Sequence, residues 1–166
     1  MSLSQTEIQQ TLAMLEETPK HIQVLISTAS AKTLTVKPNE DTWSVNEILA
    51  HLRACADVWG KGIQRMLNED NPTIRYVSPR THMKKTRYEM LAFEDSFRTF
   101  REQRKMLFDL LEALSLEGWL KQGIFTGTTR GKHQTVYSYV RRIADHEHHH
   151  FTQIKRVIQE VIGNQV

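Results

Sequence analysis

Four histidines fall within five positions of the stretch Ala144–Ile154, at His146, His148, His149 and His150. Sixteen residues follow the last of them, so the run does not read as a terminal purification tag. Imidazole is the side chain that most often binds divalent metals and moves protons near neutral pH. What these four can do depends on where a helix points them. The flanking apolar residues Val136, Tyr139, Ile143, Ile154, Val157 and Val161 are spaced as one face of an α-helix. At about 100° per residue, His146 and His150 lie roughly 40° apart inside that face. His148 lies nearly opposite His150 and His149 sits on the flank, so both are expected at the surface. Two imidazoles at i and i+4 meet at one point, the arrangement in which helices offer two nitrogens to a metal ion. A pair of neutral, hydrogen-bonded core histidines is the alternative, and the spacing leaves both open.

A third ligand would have to come from a facing helix. His51 lies at the edge of another apolar stripe, with Cys55 one turn on. Cys55 fits a small core residue better than a ligand. His21, His82 and His133 fall in a first-helix position or in loops and are weaker candidates. Arg104 falls on an apolar stripe, about 40° from Phe100. A guanidinium aimed into a core needs an acid or an anionic ligand, unless its stem carries the head to the rim. A carboxylate such as Glu47 near the metal, or a substrate carboxylate, would serve. The connection from Asn71 to Arg87 carries Arg75, Arg80, Lys84, Lys85 and Arg87 with no acidic residue. At the mouth of a site these charges would favour an anionic small molecule; otherwise they form a solvated basic loop.

The elements that must position these residues are legible as helices. Ile8, Leu12, Leu15, Ile22 and Ile26 form the first stripe, interrupted by Pro19, where a kink or a fresh start capped by Thr18 is expected. A second helix opens with a capping box of Ser44 and Glu47, with Trp43 and Ile48 as its hydrophobic staple. Its stripe runs Val45, Ile48, Leu52, Cys55, Trp59, Ile63 and Met66. A third helix is expected over roughly Tyr88 to Leu114, with Phe93, Phe97, Phe100, Leu107, Leu111 and Leu114 on one face. A fourth runs from about Thr135 to Ile162, with Gly163 placed as the residue that ends it. No stretch alternates convincingly as a strand. The expectation is an all-α protein, an up-down-type four-helix bundle filling residues 1–166 as one domain.

Composition agrees. With 166 residues, 39% apolar and 25% charged, the chain can bury one real core and is neither disordered nor a disulfide scaffold. The opening MSLSQTEIQQ lacks an apolar segment, so no secretory signal is expected, and no window suits a membrane span. The lone cysteine fits a reducing cytoplasm. A net charge of +3, without a groove-binding motif or aromatic ladder, gives no reason to expect a nucleic-acid partner.

Two stretches also carry a resemblance. WSVNEILAHLRACADVW, Trp43 to Trp59, resembles the W-S-x-x-E-[IVL]-[LA]-x-H-L helix of the DinB/YfiT-like family of metal-holding four-helix bundles. IADHEHHHFTQI is similar to that family's last-helix motif, H-x-x-x-H followed by x-x-Q-[IL]. With Gln153 and Ile154 aligned to that ending, the family's ligands fall on His146 and His150, and His51 matches the histidine of the first motif. The resemblance covers nearly the whole chain, including FREQRKMLFDLLEAL. It implies a divalent metal held by three histidines, Zn or Ni first and Fe or Mn next, with coordination positions left open. It implies a metal-dependent hydrolase or a transferase acting with a low-molecular-weight thiol, a small-molecule substrate and a homodimer. The competing class is a non-catalytic bundle whose metal serves stability or whose surface serves a partner.

Overall fold

The computed structural model describes residues 3–127 and 133–164. Four long helices make the bundle: α1 (Gln5–Ser27), α3 (Val45–Asn68), α5 (Phe93–Glu112) and α7 (Val136–Gly163). Shorter helices join them, α2 (Ala31–Thr35), α4 (Pro79–Thr86) and α6 (Leu116–Leu120), together with a 3₁₀ turn at Tyr88–Met90. Around the bundle the order is α1, α7, α3, α5. The successive pairs α1–α3 and α5–α7 therefore lie across the diagonals, a crossed order that differs from the side-by-side succession of a simple up-down bundle.

Local chemistry explains where the helices begin. The Ser4 and Ser44 hydroxyls accept from the backbone N–H groups of Glu7 and Glu47, and both glutamates bond back to the cap. These capping boxes satisfy N–H groups that a helix start leaves unpaired. Thr135 and Ser138 make the same reciprocal arrangement at α7. Two expected breaks fall elsewhere. No fresh start occurs at Pro19: α1 runs through it, and the Thr18 hydroxyl donates to the Met14 carbonyl at 2.9 Å instead of capping. Burial of Thr18, Pro19 and Ile22 against the bundle outweighs the one backbone bond that proline removes. Gly163 does not terminate α7 either; it is the last helical residue, and Asn164 is the cap.

The third long helix starts at Phe93 rather than Tyr88. Arg87 takes a left-handed conformation, φ 54° and ψ 39°, which ends α4 and starts the 3₁₀ turn. The Asn46 side-chain amide donates to the freed carbonyls of Glu89 and Leu91, at 3.0 and 3.3 Å.

A small sheet, not expected from the sequence, closes one end. Strand β1 (Thr73–Arg75) pairs in parallel with β2 (Gln122–Thr126), which pairs antiparallel with β3 (His133–Thr135). Strands of three and five residues are too short to display the alternation by which strands are recognised. Their inward side chains extend the bundle core: the Phe125 ring stacks on Tyr139, 4.6 Å between centroids.

The core is divided. One apolar cluster joins Ile8, Leu12, Leu15, Trp59, Ile63 and Ile143; a second joins Ile22, Leu52, Phe97, Phe100, Ile154 and Val157. On α5 and α7 the two clusters are separated by two to three turns, and the gap holds Arg104 on α5 and His146, Glu147 and His150 on α7. His51, Arg104, Glu147 and His150 are all buried in that middle layer. Among the described residues no helix is long and apolar enough to cross a membrane.

Candidate metal centre

Helix α7 presents His146 and His150 on consecutive turns, and α3, packed beside it, presents His51. His146 stands at the centre of the group. Its Nε2 lies 3.3 Å from His51 Nε2 and 3.1 Å from His150 Nε2. The rings of His51 and His150 therefore both approach that of His146, on two sides of it. His148 and His149 are exposed, as helical geometry requires. His21 and His133 are also exposed, and His82 lies across the bundle surface against Asp57.

The donor set suits a divalent cation. Nitrogens about 2.0–2.1 Å from one ion lie roughly 3.3 Å apart in a tetrahedron and about 2.9 Å apart at octahedral right angles. The two separations from His146 fall in that interval. Hydrogen bonding satisfies the cluster less well: one proton on His146 Nε2 would be shared between two acceptors. Gln153 Oε1 lies 2.7 Å from His150 Nδ1 and holds the proton there, so Nε2 offers its lone pair to the centre.

Electrostatics keep the rings in the ligating form. Burial, then the neighbouring His150 and Arg80, brings His51 down to about 4. Burial, then His150 and His51, brings His146 down to about 3. Burial also lowers His150, opposed by its bond to Gln153. All three are neutral at physiological pH, and neutral imidazole is the metal ligand.

Cys55 lies closer to this centre than its reading as a plain core residue suggests. Its Sγ is 3.5 Å from His51 Nε2, and donor atoms of His51, Cys55 and His146 all lie within 4.8 Å of one another. Burial and the Glu147 carboxylate push the thiol well above its ordinary range, so without a cation it stays protonated.

Arg104 does point into the core, but its partner is not Glu47. The guanidinium Nε lies 2.9 Å from Glu147 Oε1, and the pair is 5% and 0% exposed. Neither carboxylate oxygen has an aligned hydrogen bond among the described residues, so the contact is ionic. Burial pushes Glu147 up to about 7 against the opposing pull of Arg104. Glu47 instead completes the α3 capping box and meets Lys37 at 3.0 Å. It sits three residues into the helix, a full turn short of His51, where its carboxylate serves the helix start.

The sequence did carry a sign of Glu147. Val140, Glu147, Ile154 and Val161 repeat every seven residues on the innermost line of α7, and all are buried.

One side of the centre opens to solvent. A cavity of about 550 Å³ is lined by Trp43, Arg80, His149, His150, Gln153 and Arg156, with Asp41, Thr42 and Thr152. Trp43 and Trp59 pack their rings on His51 and His146, at 5.3 and 4.8 Å between centroids, Trp43 from the cavity wall and Trp59 from the buried side.

The family model of the DinB superfamily matches residues 14–154, a span that includes all three histidines. Among solved structures, YfiT from Bacillus subtilis superposes with a TM-score of 0.82 over 94% of this chain and 88% of that one, at 18% identity. That protein is described as a probable metal-dependent hydrolase with an unusual four-helix bundle topology. No curated protein matches the chain.

Proposed function

The chain belongs to the DinB superfamily, and from that premise we propose that it is a metal-dependent enzyme whose cation is held by His51, His146 and His150. The observation that supports this reading is that the Nε2 atoms of neutral His51 and His150 lie 3.3 and 3.1 Å from that of neutral His146, with His150 on the wall of an open cavity. A divalent cation bound there supplies Lewis acidity, polarising a carbonyl or acidifying a water or thiol. The chain's own residues do the rest. Gln153 fixes the tautomer and tilt of His150. The buried Trp59 ring excludes water from the inner side of His146, which leaves the cavity walled by Trp43 as the route for substrate. The Arg104–Glu147 pair sits behind the ligands on α5 and α7, where it holds the middle layer in register. Its role is positioning, since neither group lines the cavity beside His150.

The chemistry is hydrolysis, or transfer to a low-molecular-weight thiol; both use an ion with an open position, and the three imidazoles serve either. An all-imidazole set suits Zn, Ni and Fe, and the family resemblance favours Zn or Ni first. Screening with simple esters and amides, and with thiol conjugation to an electrophile, separates the two. Loss of turnover in His51→Ala with the fold retained supports an enzyme.

A second reading rests on Cys55. Its sulfur sits 3.5 Å from His51 Nε2, about the separation expected of a thiolate and an imidazole sharing one zinc. With Cys55 as fourth donor the site would be closed, and the metal would serve stability. Cys55→Ala decides. An open three-histidine centre keeps its metal in that variant, and a closed four-donor centre loses affinity sharply.

A further inference from the structure

The cavity beside His150 has a charge pattern that the metal reading leaves unused. Two guanidinium groups, Arg80 from α4 and Arg156 from α7, line it with His149, against one carboxylate, Asp41. Arg80 lies over the Trp43 ring, 5.1 Å from its centroid, and has no salt-bridge partner among the described residues. A guanidinium stacked on an aromatic face is held in place while its in-plane N–H donors stay free. The nearest carboxylate to Arg156 is Glu160, loosely placed at 3.6 Å on an exposed turn of the same helix. Thr42, Thr152 and Gln153 add neutral hydrogen-bonding groups to the same wall. The α4 helix also begins here without a side-chain cap, since Ser78 makes no capping bond.

The centre itself adds to this demand for negative charge. Three neutral imidazoles leave a divalent ion's charge uncompensated. The one buried acid in the layer, Glu147, is already matched by Arg104. We infer that the cavity between Arg80 and Arg156 receives a carboxylate or other oxyanion group of the substrate, so that the molecule's reactive end faces His150 and the metal centre. As a statement about substrate this rests on the proposed metal centre, but the anion subsite is a property of the arginines and can be tested apart from it. Arg80 is the specificity residue, because stacking fixes its planar fork for a bidentate anion. Arg156, exposed on α7, meets the anion from that side.

The test is binding rather than turnover. Tag-free, chelator-treated protein is titrated with succinate, with inorganic phosphate and with neutral succinamide, and followed by NMR shifts of residues around the cavity. Wild type, Arg80→Ala, Arg80→Lys, Arg156→Ala and the double alanine variant are compared, all at exposed positions that the fold tolerates. The expected result is measurable binding of an anion and none of succinamide. Arg80→Ala should weaken the anion by roughly tenfold or more, the scale of one charge-assisted hydrogen bond. Arg80→Lys should recover only part, since an ammonium lacks the fork. Whichever of succinate and phosphate binds tighter identifies the oxyanion. Equal anion binding by wild type and the double variant overturns the subsite, as does equal binding of succinamide. His51→Ala separates the two ideas. Metal lost with anion binding intact leaves both standing. If wild type purified without chelator carries no metal, while the chelator-treated protein binds anions through the arginines, the subsite stands and the metal reading falls.

Discussion

At the residue scale, His146 carries more of the site than its two partners, because its Nε2 contacts both of theirs. Alanine at His146, His51 or His150 should remove the metal, while alanine at His148 or His149 should leave metal content unchanged, as measured by elemental analysis. The depressed histidines also set a pH dependence in chelator-treated protein. His51 and His146 fall from 6.5 in the unfolded chain to about 4 and about 3 in the folded one. Their contribution is therefore present above 6.5 and lost as pH falls toward 4 and 3. Glu147 works oppositely: raised from 4.5 to about 7, it favours the fold below 4.5 and loses that effect as pH rises through 7. Two histidines outweigh one glutamate between 4.5 and 6.5, so urea midpoints should drop on acidification through that window. The His51→Ala variant should show a shallower drop. Flat midpoints from pH 7 to 5 would contradict the assignment. His146 and His150 were legible because helical spacing fixes their direction, whereas His51 stood out only through the family resemblance of its helix. The Arg104 partner was not, since spacing shows that a charge points inward but not which diagonal helix it meets.

At the scale of elements, α3 is the hub. It is buried nearly all round from Val45 to Cys55, because α4 and the 3₁₀ turn cover the side that the bundle leaves free. Ala50 and Ala54 allow that approach, with Met83 packed on them. Asp57, next on the same face, ties the cover down. It accepts from the Tyr88 hydroxyl and the Gln103 amide, each at 2.7 Å, and lies 3.1 Å from His82 Nε2. Asp57→Ala should cost about 1–3 kcal/mol by denaturant unfolding, since it strands three partners at once. It should also loosen anion binding, because α4 carries Arg80. An unchanged midpoint would show that the network is only surface decoration. The α4 cover and the sheet lay in stretches that the sequence presents as loops. Their elements are three to eight residues long, too short for a periodic pattern, and tertiary contacts stabilise them.

At the scale of the molecule, two apolar clusters enclose a polar middle layer, an arrangement that gives up stability to hold a site. The buried Arg104–Glu147 pair illustrates this. Arg104→Ala should destabilise the protein by about 3–5 kcal/mol by leaving a buried carboxylate uncompensated, whereas a matched Arg104→Met/Glu147→Leu double variant should recover most of that loss. A double variant as unstable as the single would show that the pair does more than neutralise itself. The four-helix architecture was readable from stripes and caps, because long helices repeat their apolar spacing many times. The crossed order of those helices was not, since each stripe states that a face is buried without naming what buries it. The central claim is that three histidines hold one metal ion with a position left open. The most direct measurement is metal stoichiometry of tag-free protein by elemental mass spectrometry, for wild type, His51→Ala and Cys55→Ala side by side. About one divalent ion per chain is expected in wild type and in Cys55→Ala, and close to none in His51→Ala. A metal-free wild type, or a His51→Ala variant that keeps its full complement, would contradict it.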